Sequence, residues 1–222
     1  MNASTTPPHF EMSNPMFESL VQRIIQTVGK DKLASLRQNF QQLLRITLAH
    51  PDKAELFEDL WDFFYDWCLF EQRLPEALPN LNPSEQSLWN QVKAANQRGL
   101  YSVQRATDEG LKLKELYNGK TFLVSKKSPK DFCGISKGDI IESRILEGEK
   151  AGRASQFTFV RKPSYHPNEV HEYIKKKVRH FRKSQDYSTY QTWLWSLVGM
   201  YMKHRIYQHM PVEKIYDDNS RI

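Results

Sequence analysis

Apolar residues recur at helical spacing through the first hundred positions, alternate with polar ones over the next sixty, then return to helical spacing. Leu20, Val21, Ile24, Ile25 and Val28 predict a first helix. It opens at Asn14-Pro15, where Asn can cap and Pro suits the first turn, and it closes at Gly29. Leu33, Leu36, Phe40, Leu43 and Leu44 predict a second helix over about 31–48, broken at His50-Pro51. Asp52 and Glu55 have capping-box spacing and open a third helix with Ala54, Phe57, Leu60, Trp61, Phe64, Tyr65, Cys68 and Leu69. Leu74 to Leu81, with Pro75 and Pro79, reads as a loop. Asn82-Pro83-Ser84-Glu85 repeats the cap signal before a fourth helix with Leu88, Trp89 and Val92, ending near Arg98-Gly99.

Period two takes over at Tyr101 and Val103 and continues through Leu111 and Leu113. Asn118-Gly119 is a strong hairpin-turn signal, followed by Phe122 and Val124. Gly138-Asp139 turns into Ile140–Leu146, and Phe157 and Phe159 alternate with their neighbours. Five short strands joined by tight turns predict a small closed or half-closed β-barrel. His166-Pro167 is expected to open a helix with Val170, Tyr173, Ile174, Val178 and Phe181 on its apolar side. Asp186 or Ser188 starts a last long helix carrying Tyr190, Trp193, Leu194, Leu197, Val198 and Tyr201. The fold class this predicts is α+β: N-terminal helices, a small five-stranded β-barrel and two C-terminal helices that pack back on the rest. The expected boundaries are a disordered tail over 1–13, helices over 14–98, the barrel over 99–163, the C-terminal helices over 164–210 and a tail over 211–222.

Composition sharpens this reading. With 222 residues the chain can bury a real core, and its 12% aromatic content is too high for a disordered chain. The two cysteines, Cys68 and Cys133, lie far apart, which suits free thiols in a reducing compartment better than a disulfide scaffold or a four-thiolate zinc site. The polar start of the chain lacks a basic-then-apolar run, and Trp193–Met202 falls far short of the ~20 residues that span a bilayer. The expectation is a cytoplasmic protein without a signal peptide or a transmembrane segment. The net charge of +6 is unevenly spread: residues 1–98 carry nine Lys/Arg and twelve Asp/Glu, 99–163 thirteen and eight, 164–222 ten and six. That asymmetry invites a polyanionic partner.

Residues 66–74, Asp-Trp-Cys-Leu-Phe-Glu-Gln-Arg-Leu, resemble the Asp-Trp-x-x-Phe-acidic-x-Arg signature of a bacterial domain family of uncharacterised function. In that family a short helix and a small β segment follow. Here Tyr101, Leu111-Lys112-Leu113, Asn118-Gly119, Gly138-Asp139 and Arg144 match the β segment, so the resemblance covers about residues 55–160. Some members carry a SEC-C type zinc motif. This chain has no Cys-x-Cys and no Cys/His cluster, so the resemblance implies neither a metal nor an activity.

Candidate chemistry is sparse. The chain shows no Gly-x-Ser-x-Gly elbow, no phosphate-binding glycine loop and no His-Glu-x-x-His, and it is expected not to be an enzyme or to carry a cofactor. Asp59, Asp62 and Asp66 share one helical stripe, read as a solvated face. His166, His171, His180, His204 and His209 lack metal-ligand spacing. Two binding readings remain. The first is an adaptor or regulator that meets a protein partner through Asp66, Trp67, Arg73 and Trp195, since Trp and Arg anchor interfaces. In the alternative, nucleic acid lies on the barrel and on the basic helix 170–183, held by Lys126, Lys127, Arg161, Lys175, Lys176, Lys177, Arg179 and Arg182, with Tyr101, Phe157 and Phe159 as candidate stackers. Each reading competes with a plainer one, in which the aromatics fill the core and the charges form a solvated face. A membrane-surface role for the last helix, whose aromatics are flanked by basic residues, ranks below both.

Overall fold

The computed structural model describes residues 15–46, 54–77, 81–125, 134–147, 157–218 and 220. Lys126, Lys127, Cys133, His50-Pro51 and the 1–13 tail lie outside the described residues. Helices α1 (Pro15–Val28) and α2 (Lys30–Leu44) meet at Gly29, whose φ of 78° lies in the left-handed region open to glycine. Their apolar stripes face inward: Leu20, Val21 and Ile24 from α1, and Leu33, Leu36, Phe40 and Leu44 from α2. Helix α3 (Ala54–Phe70) differs, because every residue from Phe63 to Leu69 is buried. A helix enclosed on all sides needs neighbours on all sides. Helix α4 (Pro83–Ala95) opens with the expected capping box: the Glu85 N–H donates to the Asn82 side chain at 2.9 Å, and the Asn82 N–H to the Glu85 carboxylate at 2.9 Å.

Strand β1 (Asn96–Ala106) follows α4 directly, beginning inside the stretch expected to be helical. The Asn96 side chain closes the helix by donating to the carbonyls of Val92 and Lys93. Strands β2 (Gly110–Glu115), β3 (Thr121–Ser125), β4 (Ile140–Glu147) and β5 (Phe157–Phe159) follow in the order β1-β2-β3-β5-β4, and β4 pairs back onto β1. Five strands therefore close a barrel, as the alternation predicts. Tyr101, Val103, Leu111, Leu113, Phe122, Val124, Ile141, Ile145 and Phe159 fill it.

A sixth strand, β6 (Ser164–His166), was not expected; residues 164–210 read as helical from sequence. It continues along the edge of β4 that β5 leaves: β5 pairs with Ile145–Glu147, and β6 with Ile140–Glu142. Three residues are too few to display a period. His166-Pro167 thus ends a strand rather than opening a helix, and α5 (His171–Ser184) begins only after a 3-10 turn at Asn168–Val170. Helix α6 (Tyr187–Ile206) starts at the Asp186 cap, whose carboxylate accepts from the Thr189 N–H at 2.9 Å. A short α7 (Val212–Ile215) stands where a tail was expected, pinned by Ile215 and Tyr216, which are buried.

Helix α6 ties the halves together. Trp195, Val198 and Met202 join the core of the N-terminal helices, whereas Tyr190, Trp193, Leu194 and Leu197 join a core shared with α5, Leu100 and Ile140. Gly199 lets α6 approach α2, because a Cβ there would stand 2.1 Å from the Leu44 carbonyl oxygen. Among the described residues no helix is long and apolar enough to cross a membrane.

Candidate nucleic-acid interface

Strand geometry decides where the charged residues of the barrel go. Side chains alternate faces along a strand. Tyr101, Ile141 and Ile145 point into the barrel, so Arg98, Leu100, Ile140, Glu142, Arg144 and Leu146 take its outer face, with Arg98 opposite Arg144 in the β1–β4 register. That face does not meet water. Helices α3 and α6 cover it, and an ion cluster fills the seam. Asp66 of α3 accepts from Arg144 Nε at 2.6 Å and from Arg161 Nε at 3.0 Å. Glu142 accepts from Arg98 Nε at 2.8 Å and from Arg161 Nη2. Arg144 also donates to Asn96 Oδ1 at 2.6 Å and to Glu71 at 2.9 Å. The kink at 160–163, between β5 and β6, turns Arg161 inward between the two carboxylates.

Aromatic rings cap the cluster: Arg98 lies 3.4 Å over Trp195, Arg144 4.1 Å over Phe70 and Arg161 4.1 Å over Phe63. Burial alone would raise both carboxyl pKa values. Arg144 and Arg161 outweigh burial at Asp66, and Arg161 and Arg98 outweigh it at Glu142, so both are held below their ordinary values. Among the described residues the two terminal nitrogens of Arg98 have no hydrogen-bond partner.

This seam corrects several expectations. Asp66 (0% exposed), Trp67 (6%) and Trp195 (4%) are interior, so a partner meets none of them in this fold. Arg161 (1%) is likewise turned into the cluster and away from any phosphate. Asp66 is an ion-pair centre rather than part of a solvated stripe, while Asp62 beside it is half-buried. Arg73 alone of the expected partner contacts is exposed, at a left-handed φ of 49° after α3. Of the candidate stackers, Tyr101 and Phe159 are buried, and Phe157 is half-buried with its ring 5.0 Å from that of Phe122.

Helix α5 keeps its expected surface character. Ile174, Val178 and Phe181 bury one face. The rest holds six Lys/Arg and one acid, Glu172. Lys175 pairs with Glu172 at 2.9 Å, and Lys177 pairs with Asp218. Lys176, Arg179, Arg182 and Lys183 are exposed and make no ion pair among the described residues. Lys176, Arg179 and Lys183 stand at i, i+3 and i+7, one above another, with exposed His180 beside them.

The structure adds a residue that the sequence reading passed over. Tyr187, 49% exposed, stands just beyond the C-terminal end of α5, its ring 5.2 Å from that of Tyr117. Its signal was the Asp186 cap, which sets the next residue on the open first turn of α6. Tyr187 and Leu123 are the exposed large apolar side chains among the described residues. Among those residues no group of three or more His, Cys, Asp or Glu could hold a metal ion. No family model, no curated protein and no solved structure matches the chain.

Proposed function

We propose that the protein is a non-enzymatic nucleic-acid-binding module whose working surface is the outward face of α5, with Tyr187 at one end. The observation that carries this reading is the row Lys176, Arg179 and Lys183 with Arg182 alongside, all exposed and none ion-paired among the described residues. At 1.5 Å per residue the row runs about 10 Å, room for about three successive phosphates of a strand. An exposed tyrosine at its end supplies a face for stacking an unpaired base. Of the four residues named for the protein-adaptor reading, Asp66, Trp67 and Trp195 are buried and Arg73 alone is exposed, which leaves that reading one anchor. A partner protein with an acidic surface is the outcome that would replace ours.

The test is fluorescence anisotropy of a labelled mixed-sequence single strand. Three released counterions predict that log K falls against log salt with a slope of about −2. Lys176→Glu with Arg179→Glu and Lys183→Glu should abolish binding, and Tyr187→Ala should weaken it without changing the slope. Arg73→Ala should leave it unchanged. No binding at low salt, or full binding by the triple variant, would refute the proposal.

A further inference from the structure

The outer wall of the barrel is open where the helices stop. On β2, Leu111 and Leu113 point into the barrel, so Lys112 and Lys114 take the outer face, about 7 Å apart. Leu116, the next residue on that face, continues the pairing with β1 by donating its N–H to the Leu100 carbonyl at 2.8 Å, and it packs against the core of α5 and α6. The cover therefore ends between Leu116 and Lys114. Beyond that edge, the register sets Arg105 of β1 and Leu123 of β3 on either side of Lys112. Arg105, Lys112, Lys114 and Leu123 are all exposed, and the three cations make no ion pair among the described residues. Asp108 and Glu109, in the turn from β1 to β2, stand past Arg105 and end the row.

The hairpin between β2 and β3 joins this wall to the α5 surface. The ring of Tyr117, in that hairpin, stands 5.2 Å from Tyr187 and 4.7 Å from Tyr190. Burial raises the carboxyl pKa of Glu115 at the end of β2, and Arg182 of α5 lies near enough to oppose that rise. Lys120, exposed beside Asn118-Gly119, adds a further cation at the hairpin. The order across the surface is thus the α5 row, the Tyr187–Tyr117 pair, Lys114, Lys112 and Arg105. At helix and strand rises the whole path is on the order of 30 Å, about three times the α5 row.

We propose that one unpaired nucleic-acid strand runs from α5 across Tyr187 and Tyr117 onto the outer wall of β1, β2 and β3, so that the ligand is single-stranded and about nine nucleotides long. The inference rests on the reading of α5 as a nucleic-acid surface and assigns that surface its ligand class. Two groups of cations with aromatic rings between them suit a backbone that is held on both sides of a stacked base. An unpaired strand can turn from the helix to the wall and offer that base. A duplex keeps its bases inside and is stiff over about 150 base pairs, so it can lie on one group of cations but not follow the path. Leu123, exposed next to Lys112, gives the strand an apolar contact on the wall. A length of about nine nucleotides falls within the ~4–16 that single-strand sites on small barrels span.

The test uses the full chain and labelled thymidine oligonucleotides of about four and about twelve nucleotides. A slope of about −2 in log K against log salt belongs to the short strand, which covers the α5 row alone. The long strand should reach about −4, because Arg105, Lys112 and Lys114 release three more counterions. Extra registers on a longer strand tighten binding without steepening the slope, so the slope is the readout. Arg105→Gln with Lys112→Gln and Lys114→Gln should return the long strand to about −2 and weaken it at least tenfold, with the short strand unchanged. All three side chains are exposed, and an unaltered circular dichroism spectrum checks that the variant folds. A duplex of the longer length should bind at least tenfold more weakly than the strand. Equal slopes for the two lengths, or a slope that the Gln variant leaves unchanged, would overturn the proposal while the α5 reading stands. A duplex that binds as tightly as the strand would overturn the ligand class, and no binding of either strand at low salt would remove both readings.

Discussion

Replacing Asp66 by Asn tests the seam between helices and barrel most directly. The change keeps shape and removes one negative charge. Three guanidinium groups, of Arg98, Arg144 and Arg161, face two buried carboxylates, Asp66 and Glu142, with half-exposed Glu71 at the edge. Without Asp66, three buried cations share one buried anion, and the new amide turns a donor toward a guanidinium that is itself a donor. Breaking a buried pair by removing one partner costs about 3–5 kcal/mol. For a chain of this length each kcal/mol lowers Tm by about 2–4 °C, so Asp66→Asn should lower it by roughly 6–20 °C. Arg161→Met is expected to cost less, because Arg144 keeps Asp66 and Arg98 keeps Glu142, and methionine still fills the space against Phe63. The decisive variant is the double one. Removing Arg161 after Asp66 discharges a surplus cation, so Asp66→Asn/Arg161→Met should be more stable than Asp66→Asn alone. Urea unfolding at pH 7, followed by tryptophan fluorescence and circular dichroism, measures all four proteins. Additive costs, or an Asp66→Asn penalty under about 0.5 kcal/mol, would refute the charge-balance reasoning.

Two further perturbations follow from buried groups. Burial pushes the His166 pKa down from 6.5 to about 3, so the unfolded chain binds a proton that the fold refuses. This contribution is constant above about pH 6.5 and erodes as pH falls, by about 2 kcal/mol at pH 5. Glu115 acts oppositely: burial raises its pKa, so the fold takes its proton first and gains stability as pH falls toward 4.5. The clean readout is therefore the stability difference between wild type and His166→Gln, which should change by about 2 kcal/mol between pH 7 and pH 5; a constant difference would contradict the buried neutral histidine. Gly199→Ala sets a methyl group 2.1 Å from the Leu44 carbonyl, so α2 and α6 must part, at a cost of at least ~2 kcal/mol by urea denaturation; a wild-type midpoint would show that the two helices yield freely.

Much of the architecture was legible because it rests on local signals. The Asn82–Glu85 capping box, the break at Gly29, the Asn118-Gly119 loop and the alternation of Tyr101, Val103, Leu111 and Leu113 each specify structure within a few residues. The start of β1 was not legible, because Asn96 serves as both a helix closer and a strand residue. Nor was β6, which depends on its partner β4 and on the kink that aims Arg161. The site residues were harder still. Alternation says that Arg98, Glu142 and Arg144 point out of the barrel; only tertiary packing says that α3 and α6 cover that side. Trp195 sits off the apolar stripe of α6 and looks exposed on a helical wheel, yet it is the ring beneath Arg98.

The same packing changes what the charge pattern means. Residues 1–98 are acidic and 99–163 basic, which from sequence alone suggested a polyanion. At the seam, Asp66 of the first segment meets Arg144 and Arg161 of the second, so part of the imbalance is two segments matching each other. The cations used there are all arginines, whose planar forks can serve two carboxylates and lie on a ring at once. On α5, Lys175 and Lys177 are paired, whereas Lys176, Arg179, Arg182 and Lys183, two lysines and two arginines, make no ion pair among the described residues. Cations that the fold has already neutralised cannot release counterions when a strand binds, so the salt dependence of nucleic-acid binding should count the free charges of α5 and none from the seam.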